Sequence, residues 1–461
     1  MTDLPSIDDA NHGSSGLEAE ALRSQFVAGF RSSAPYINAH RGQTFVIQFS
    51  GATVNEDGFT DFVHDLVLLH ALGIRLVLVP GAKPQIDARL AELGIQSEFV
   101  GARRVTDAQA LHVVKEVTGA LRVEIEARLS MGLANSPSAG ARIGVRSGNY
   151  VTARPVGVRG GQDYLYTGEV RRIDAAGLRE NLNAHNIVLV SPLGYSPTGE
   201  VFNVAAEEVA TTVASELNAA KLILLGNAPG IMNESEQLVR ELTTEQARTM
   251  LAARQRDPER AAQQATRQLA AALHACETGV TRTHILDARI NGAMLLEAFT
   301  RDGVGTMVSG NTYDATREAT IDDVSGILEL IEPLEAEGIL VRRSRDKLEQ
   351  EIARFTIVER DGAILACAAL YPFTDSNYME LACLAVSATY RNSERGDKLL
   401  ARLERDARAQ GADHLFVLTT RTAQWFMERG FRPSSTEALP GERQAMYNFQ
   451  RGSKVLVKTL V

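Results

Sequence analysis

Short apolar runs alternate with longer amphipathic stretches along the first two thirds of the chain. The apolar runs predict buried strands at residues 44–49, 75–79, 187–190 and 222–225. The amphipathic stretches predict helices at residues 59–72, 204–219 and 243–276, the last with a break near Asp257 and Pro258. Before the first strand, Leu22, Phe26 and Phe30 fall on one face of a further predicted helix. Strands and helices that alternate in this way are typical of a parallel α/β sheet.

The pattern restarts at Arg317. A helix is predicted at residues 317–331, strands at 353–358, 363–371, 379–386 and 415–419, and a helix at 391–410. The first residues are rich in Asp, Ser, Asn and Gly and have little to bury, which favours disorder. We therefore predict four segments, which are a flexible N-terminal tail (1–21), a large domain (22–311), a linker (312–316) and a smaller C-terminal domain (317–461).

Composition narrows the class of protein. The 461 residues are 44% hydrophobic and carry a net charge of −9, so no basic excess points to nucleic acid or to a membrane surface. The three cysteines, Cys276, Cys367 and Cys383, form no CxxC pair, which argues against a disulfide framework and a structural zinc site. There is neither an 18-residue apolar run nor an apolar signal core. We expect a soluble, cytoplasmic, multidomain protein that acts on small molecules.

The most informative segment is MELACLAVSATYRNSERGDKLL, at residues 379–400. An apolar strand runs into a loop rich in Arg, Ser and Gly, and that loop opens a helix. Unpaired backbone N–H groups at a helix start favour a bound phosphate, and Arg391 and Arg395 add positive charge. From these residues alone, a strand–loop–helix with solvated arginines is an equally good interpretation.

The segment resembles the acetyl-CoA-binding core of the GCN5-related N-acetyltransferases (GNAT). Their loop pattern, Arg/Gln-x-x-Gly-x-Gly/Ala, is matched at residues 391–396, with Glu394 in place of the first glycine. The resemblance implies that Arg391, Arg395 and Gly396 hold the diphosphate of acetyl-CoA. It also implies that the strand ending at Val386 splays from its neighbour, so that the backbone of Cys383, Leu384 and Val386 binds the pantetheine arm. Cys383 itself is interpreted as a small core residue and not as a nucleophile.

Further stretches resemble the bacterial N-acetylglutamate synthases. They are GILVRRSRDKLEQEI (338–352), ACAALYPF (366–373), ELACLAV (380–386), LFVLTTRTAQWFMERGF (415–431) and YNFQRGSKVL (447–456). The resemblance implies acetyl transfer from acetyl-CoA, a cosubstrate, to the α-amine of L-glutamate, which opens arginine biosynthesis. Glu380 would act as the base, directly or through water, and Thr419 would lie near the CoA thiolate. Arg343, Arg451 and Ser453 would bind the carboxylates of glutamate, with no metal and no permanently bound cofactor.

The larger domain resembles the amino-acid-kinase fold, and acetylglutamate kinase in particular. The matching stretches are VIQFSG (46–51), LVPGAKPQID (78–87), RVTDAQAL (104–111), SGNYVTARPVGV (147–158), NVAAEEVATTVASELNAAKLILLGNAPGI (203–231) and GAMLLEAFTRDGVGT (292–306). Phosphoryl transfer needs fixed cations, but Gln48 stands where the kinases have lysine, and Gly226-Asn227 replaces their Thr-Asp. We therefore expect no kinase activity.

The same resemblance implies a role in sensing and assembly. L-arginine would be a feedback inhibitor bound near the N-terminal helix and the last segment of this domain, by Tyr36, Glu297, Gly303 and Gly305. The resembling enzymes also imply a homo-oligomer, specifically a hexamer. The predicted fold class is therefore α/β, with an amino-acid-kinase-like parallel-sheet sandwich followed by a GNAT domain.

Two other functions were weighed against this one. A bifunctional synthase–kinase is disfavoured by Gln48 and Asn227. A non-catalytic arginine-binding subunit is disfavoured because Glu380, Arg343 and Arg451 are all present, and a decayed site need not retain all three.

Overall fold

A computed structural model describes residues 16–55, 58–101, 103–131, 139–310, 315–360, 363–373, 376–388 and 395–460. The chain divides into two compact units between Thr312 and Tyr313. In the described ranges, no helix is both long enough and apolar enough to cross a membrane.

The larger unit contains ten helices within the described residues. They are α1 (Gly16–His40), α2 (Phe59–Ala71), α3 (Lys83–Glu92), α4 (Ala108–Leu129), α5 (Ala175–Asn183), α6 (Ala206–Leu217), α7 (Thr244–Gln255), α8 (Pro258–Ala262), α9 (Gln264–Glu277) and α10 (Ala293–Phe299). The predicted break in the helical stretch 243–276 is confirmed, because the Asp257 side chain caps α8 and Pro258 begins that helix.

The strands of this unit are mostly short. They are β1 (Thr44–Ser50), β2 (Arg75–Gly81), β3 (Phe99–Val100), β4 (Arg103–Arg104), β5 (Gly144–Ser147), β6 (Val151–Pro155), β7 (Val158–Arg159), β8 (Gln162–Asp163), β9 (Gly168–Ile173), β10 (Asn186–Leu189), β11 (Leu193–Tyr195), β12 (Val201–Asn203), β13 (Lys221–Gly226), β14 (Ile231–Met232), β15 (Leu238–Val239), β16 (Glu241–Thr243), β17 (Arg282–Asp287) and β18 (Thr306–Ser309).

The main sheet of this unit has the strand order β16-β18-β17-β13-β1-β2-β10-β5. Strands β17 to β5 in this order are parallel, and β18 runs antiparallel to β17. Both faces are buried. In β1, Val46 packs into one apolar cluster, whereas Phe45 and Ile47 pack into the cluster on the opposite face. Burial on both faces explains why the sequence shows continuous apolar runs here and not alternation.

The smaller unit is built around one mixed sheet. Its helices are α11 (Val324–Ala336), α12 (Arg345–Glu351), α13 (Arg395–Ala409), α14 (Ala423–Glu428) and α15 (Gly441–Ala445). Its strands are β19 (Ala315–Glu318), β20 (Phe355–Arg360), β21 (Ala363–Pro372), β22 (Tyr378–Val386), β23 (His414–Thr419), β24 (Arg432–Ser434) and β25 (Lys454–Thr459). The strand order is β19-β20-β21-β22-β23-β25-β24. Leu399, Leu400 and Leu403 of α13 pack on one face of the sheet, and Ile327 and Ile331 of α11 on the other.

The predicted bounds of the N-terminal tail and of the linker need correction. Helix α1 begins at Gly16, so residues 16–21 are helical and not part of a flexible tail, and residues 1–15 lie outside the described residues. Ala315 and Thr316, expected in the linker, pair with Glu359 and Val358 as part of β19. The rest of the predicted linker, residues 312–314, lies outside the described residues.

The helix predicted to start at Arg317 begins instead at Val324. Arg317 is held in β19, where its guanidinium binds the carboxylates of Glu359 and Asp323. The Thr320 and Asp323 side chains then form a reciprocal cap at the start of the helical segment. Strand pairing therefore overrides the helical pattern of residues 317–323, an effect that local periodicity does not report.

Candidate active site

Strands β22 and β23 separate beside Glu380. Their parallel pairing is confined to Tyr378–Glu380 against His414–Phe416. Beyond Glu380, β22 continues to Val386 and pairs with β21 on its other side. On the side facing β23, the backbone of Leu381–Val386 therefore has no strand partner among the described residues. A strand edge of this kind can hydrogen-bond to an extended ligand.

Glu380 is buried at this point and its carboxylate is bound by Arg443. The Arg443 Nε donates to Oε2 at 2.6 Å, and Nη2 donates to Oε1 at 3.0 Å. Arg443 belongs to α15, which lies in the segment between β24 and β25. The predicted base is therefore half of a bidentate ion pair that sequence reasoning missed.

Two further arginines, Arg343 and Arg451, belong to the candidate site. Burial lowers the pKa of Arg451, and the positive charges of Arg343 and Arg443 lower it further. The Arg451 Nη2 donates to the Ile339 carbonyl at 2.5 Å. Burial also opposes the charge of Arg343, but Cys383, Tyr371 and Glu351 outweigh that effect and raise its pKa. Sequence-predicted Arg451 is thus close to sequence-predicted Arg343 and to Arg443, the residue that binds Glu380.

Cys383 lies at an irregularity in β22. Its φ of 55° is in the left-handed region, and the register with β21 shifts between Cys367 and Ala369. Both cysteines are buried in the same apolar cluster, and the Cys367 thiol contacts the Cys383 carbonyl at 3.7 Å. A hydrogen bond from the Cys367 thiol lowers the pKa of Cys383, and the positive charge of Arg343 lowers it further, whereas burial acts in the opposite direction. Cys383 therefore packs in the core, in line with its interpretation as a core residue, and it also interacts with the charge of Arg343.

Thr419 and Ser453 lie at the paired ends of β23 and β25. Thr419 pairs with Lys454, the residue after Ser453. The Thr419 Oγ1 accepts a hydrogen bond from the Thr422 N–H at 3.0 Å and lies 2.8 Å from the Thr422 Oγ1. Ser453 is buried, and its carbonyl accepts a hydrogen bond from the Tyr447 hydroxyl at 2.5 Å. Either hydroxyl of the Thr419–Thr422 pair can be the donor.

The predicted diphosphate loop is described only at its end. Arg395 and Gly396 are the first two residues of α13, whereas Arg391 lies outside the described residues. A Cβ at Gly396 would lie 3.2 Å from the Trp425 indole, so this position favours glycine. Leu384 and Val386 are partly buried against the cluster that includes Trp425.

The predicted effector residues converge in the larger unit. The Glu297 Oε2 accepts hydrogen bonds from the N–H groups of Val304 (2.7 Å) and Gly305 (3.2 Å). Its Oε1 lies 2.6 Å from the Nδ1 of His284, and the His284 Nε2 lies 3.1 Å from the Lys221 Nζ. Burial opposes ionisation of Glu297, but His284 and the two amides outweigh it and lower its pKa to about 2. Glu297 is therefore a buried carboxylate and not a solvated helix residue.

His284 is neutral in this arrangement. Burial, with help from the charge of Lys221, lowers its pKa to about 4. A neutral ring that donates from Nδ1 to Glu297 accepts at Nε2 from Lys221, so the hydrogen-bond network assigns the tautomer. Lys221, His284 and Glu297 then form one continuous chain of hydrogen bonds.

Two of the remaining effector candidates, Gly303 and Gly305, border this chain of hydrogen bonds. Gly303 has a φ of +58°, and a side chain there would overlap the Glu297 carboxylate. A Cβ at Gly305 would overlap the Ile285 carbonyl. Tyr36 lies near the end of α1, with its ring 6.4 Å from that of His40, whose Nε2 lies 2.9 Å from the Ala298 carbonyl.

The position expected to hold the kinase lysine is buried. Gln48 lies in β1 and is buried, at the position where the resemblance implies a lysine in the kinases. A neutral amide cannot replace the charge of a lysine. We therefore keep the prediction that this protein has no kinase activity.

Sequence reasoning missed Arg443, Lys221 and His284 for different reasons. Arg443 lies in a short polar segment, GERQA, with no periodic signal. Lys221 and His284 lie within apolar strand runs. A charged or titratable residue in a buried strand is unusual, so its presence there is a sequence signal for a functional site.

Comparisons with known proteins identify the family of each unit. Residues 43–287 match the amino acid kinase family, and residues 324–431 match the acetyltransferase (GNAT) family. The amino-acid acetyltransferases of Ectopseudomonas mendocina and Azotobacter vinelandii are each 54% identical over 435 residues, covering 94% of this chain and 99% of theirs.

Two solved structures are similar over nearly the whole chain. One is N-acetylglutamate synthase from Neisseria gonorrhoeae complexed with coenzyme A and L-arginine, with a TM-score of 0.84 and 37% identity over 94% of this chain and 99% of that one. The other is the same enzyme complexed with coenzyme A and N-acetyl-glutamate, with a TM-score of 0.60 and 38% identity over 95% and 99%.

Fold and site together define a GNAT acetyltransferase that carries an amino-acid-kinase-like unit. This confirms the predicted fold class, the predicted enzyme class and acetyl-CoA as the cosubstrate. The chain belongs to the amino-acid acetyltransferase family. The two solved structures described above, which are similar to it over nearly the whole chain, are structures of an N-acetylglutamate synthase.

Proposed function

We propose that this protein transfers the acetyl group of acetyl-CoA to the α-amine of L-glutamate, giving N-acetyl-L-glutamate and CoA as the first, cytoplasmic step of arginine biosynthesis. The observation that carries the proposal is the bidentate pair of Glu380 with Arg443 beside the free edge of β22, with Arg451 close to both Arg443 and Arg343. Glutamate brings two carboxylates, which guanidinium groups recognise well.

Glu380 takes a proton from the substrate ammonium group, directly or through a water molecule. The amine nitrogen then forms a bond to the thioester carbonyl carbon, the C–S bond breaks, and the electron pair goes to sulfur. The second proton lost by the nitrogen ends on the CoA thiolate, whose position the Thr419 hydroxyl fixes. A backbone N–H near Leu384 stabilises the tetrahedral oxyanion.

The remaining residues bind the two substrates. The backbone of Cys383, Leu384 and Val386 holds the pantetheine arm along the free edge of β22. Arg395 and Gly396, with Arg391, hold the diphosphate at the start of α13, where the helix dipole favours an anion. Arg343, Arg451 and the Ser453 hydroxyl bind the carboxylates of glutamate.

A thiol-release assay tests this function. The wild-type protein is expected to release CoA from acetyl-CoA only when L-glutamate is added, and Glu380→Gln is expected to lower kcat by about two orders of magnitude, as loss of a general base does. Glu404→Gln is the matched control, because the Glu404 side chain is also largely buried and its carboxylate is also paired with a cation, Lys458. Glutamate-independent release, or equal effects of the two substitutions, would refute the assignment.

We further propose that L-arginine binds the larger unit as a feedback inhibitor. The support is the buried Lys221–His284–Glu297 chain, which offers a carboxylate to a guanidinium or ammonium group and an ammonium to a carboxylate. Gly303 and Gly305 border it, and Tyr36, the fourth residue that we assign to this effector site, lies beside His40 near the end of α1. Arginine carries one carboxylate and two positive groups. The carboxylate matches the Lys221 ammonium, and a positive group matches the Glu297 carboxylate.

Glu297→Gln tests the effector site. The arginine concentration that halves CoA release is expected to rise by about tenfold or more, because one charge-assisted contact is lost. Glu277→Gln removes a carboxylate whose partner is the exposed Arg248 and serves as the control. Equal arginine sensitivity of both variants would exclude Glu297 from the effector site.

We also propose that α1 joins copies of the chain into a homo-oligomer, a hexamer by resemblance. Leu22, Phe26 and Phe30 of α1 are 64–72% exposed, and the two phenylalanine rings stack at 6.3 Å. Such an apolar face favours cover by a second copy. Light scattering after gel filtration is expected to give a smaller assembly for Phe26→Ser/Phe30→Ser than for the wild type, and an unchanged mass would contradict this.

A further inference from the structure

The strongest unexplained feature of the acetyltransferase unit is the way in which Glu380 is held. Both oxygens of the carboxylate accept hydrogen bonds from one guanidinium, that of Arg443, at 2.6 and 3.0 Å. The side chains are only 11% and 20% exposed. A fork-to-fork pair of this kind is strong and geometrically specific.

A base in this position meets an electrostatic problem. When Glu380 takes up a proton, Arg443 loses its counter-ion. Leaving one partner of a largely buried pair without compensation is costly. The cost is larger here because Arg451 already places a second positive charge near Arg443. Proton uptake by Glu380 therefore requires another anion to take its place on Arg443.

The substrate of the proposed function supplies that anion. Glutamate enters the site with two carboxylates and one ammonium group. Arg343 and Arg451 provide two guanidinium groups, and Arg443 provides a third on a short helix in a connecting segment. Arg443 also donates to the Met446 carbonyl at 3.3 Å, through Nη1, so its guanidinium has a hydrogen bond that does not depend on Glu380.

We propose that Arg443 exchanges partners during the reaction, binding Glu380 in the free enzyme and the side-chain carboxylate of the bound amino acid in the ternary complex. The exchange frees Glu380 to accept the ammonium proton only when a dicarboxylic amino acid is present. Arg443 thereby couples substrate recognition to the availability of the base, and the site discriminates against amino acids with a neutral side chain. This inference rests on the proposed function.

A simpler role for Arg443 makes the opposite kinetic prediction. If Arg443 only held Glu380 in place, its removal would lower kcat and leave the KM for glutamate unchanged. If it exchanges partners, Arg443→Gln removes a substrate contact but leaves Glu380 permanently free. The KM for glutamate should then rise about tenfold or more, while kcat stays within about threefold of the wild type.

The matched control is Arg402→Gln. Arg402 also binds a carboxylate through two contacts, at 2.9 and 2.8 Å to Asp406, but it does so within α13. Its KM and kcat for glutamate are expected to match those of the wild type. Thermal unfolding of both variants reports whether the fold is kept. If Arg443→Gln does not fold, Arg443→Lys replaces it, with a smaller KM increase expected at the same kcat.

Substrate selectivity gives a second readout that a holding role would not move. L-glutamine has the shape of glutamate but a neutral side chain, so it cannot draw Arg443 from Glu380. The ratio of kcat/KM for glutamate over glutamine should fall about tenfold or more in Arg443→Gln. A lower kcat with unchanged KM, or an unchanged selectivity ratio, would overturn the exchange. Absence of glutamate-dependent release by the wild type would instead refute the proposed function.

Discussion

Arg429 binds Asp397 through two contacts and thereby joins the end of α14 to the first turn of α13. Its Nη2 donates to Oδ2 of Asp397 at 3.1 Å, and its Nε donates to Oδ1. The guanidinium also lies 3.9 Å from the centre of the Trp425 ring. The hydrogen bond to Asp397 raises the pKa of Arg429. The pair neutralises a carboxylate beside the place where we propose that the diphosphate of acetyl-CoA binds.

Arg429→Gln is therefore expected to raise the KM for acetyl-CoA. The uncompensated Asp397 charge would repel the diphosphate, with an effect of about fivefold to tenfold, or roughly 1 kcal/mol, at low salt. Steady-state kinetics with varied acetyl-CoA measures it. The double variant Asp397→Asn/Arg429→Gln should restore most of the loss, because the repelling charge is gone. A double variant as impaired as the single one would contradict the electrostatic explanation.

The buried His284 predicts a dependence of stability on pH. Its pKa is lowered from 6.5 to about 4 in the folded protein, so below pH 6.5 the unfolded chain binds a proton that the folded chain does not. The free energy of unfolding should therefore fall as the pH drops from 6.5 towards 4, by at most about 1.4 kcal/mol per pH unit from this group. Glu297, whose pKa is lowered to about 2, adds a further loss below its ordinary value of 4.5.

Thermal unfolding at several pH values between 7.5 and 5 tests this prediction. His284→Asn should show a shallower fall of the melting temperature than the wild type, and His112→Asn, at an exposed position of α4, should show the wild-type slope. Parallel slopes for all three proteins would show that His284 does not titrate as described.

Gly305 is expected to be essential for folding of the larger unit. A Cβ there would overlap the Ile285 carbonyl, so Gly305→Ala should lower stability by about 2 kcal/mol or more. Gly119→Ala is the matched control, because Gly119 lies inside α4 with open space around it and should gain about 0.5–1 kcal/mol. Denaturant unfolding of the two variants measures both effects, and equal stabilities would contradict the steric argument.

The strands and the order of the motifs were predictable because burial on both faces of a sheet leaves an unbroken apolar run, as in β1 and β13. The start of α11 was not, because the ion pairs of Arg317 with Glu359 and Asp323 depend on residues that pair only after folding.

The candidate site also contains residues that the sequence predicted and residues that only the fold revealed. Glu380, Arg343 and Arg451 were found through motif resemblance, whereas Arg443 lies 63 residues from Glu380 in an irregular segment, and only the fold brings the two together. The Lys221–His284–Glu297 chain also joins three separate elements, β13, β17 and α10. Long-range polar contacts of this kind leave no periodic signal in the sequence.

The most direct test of the central claim is identification of the acetylated product. The wild-type protein is incubated with acetyl-CoA labelled in the acetyl group and an equimolar mixture of L-glutamate, L-glutamine, L-aspartate and L-lysine, and the products are resolved by mass spectrometry. We predict labelled N-acetyl-L-glutamate as the dominant product, with its formation strongly reduced in Glu380→Gln. A different dominant acetylated amino acid, or equal formation by the Glu380→Gln variant, would contradict the account.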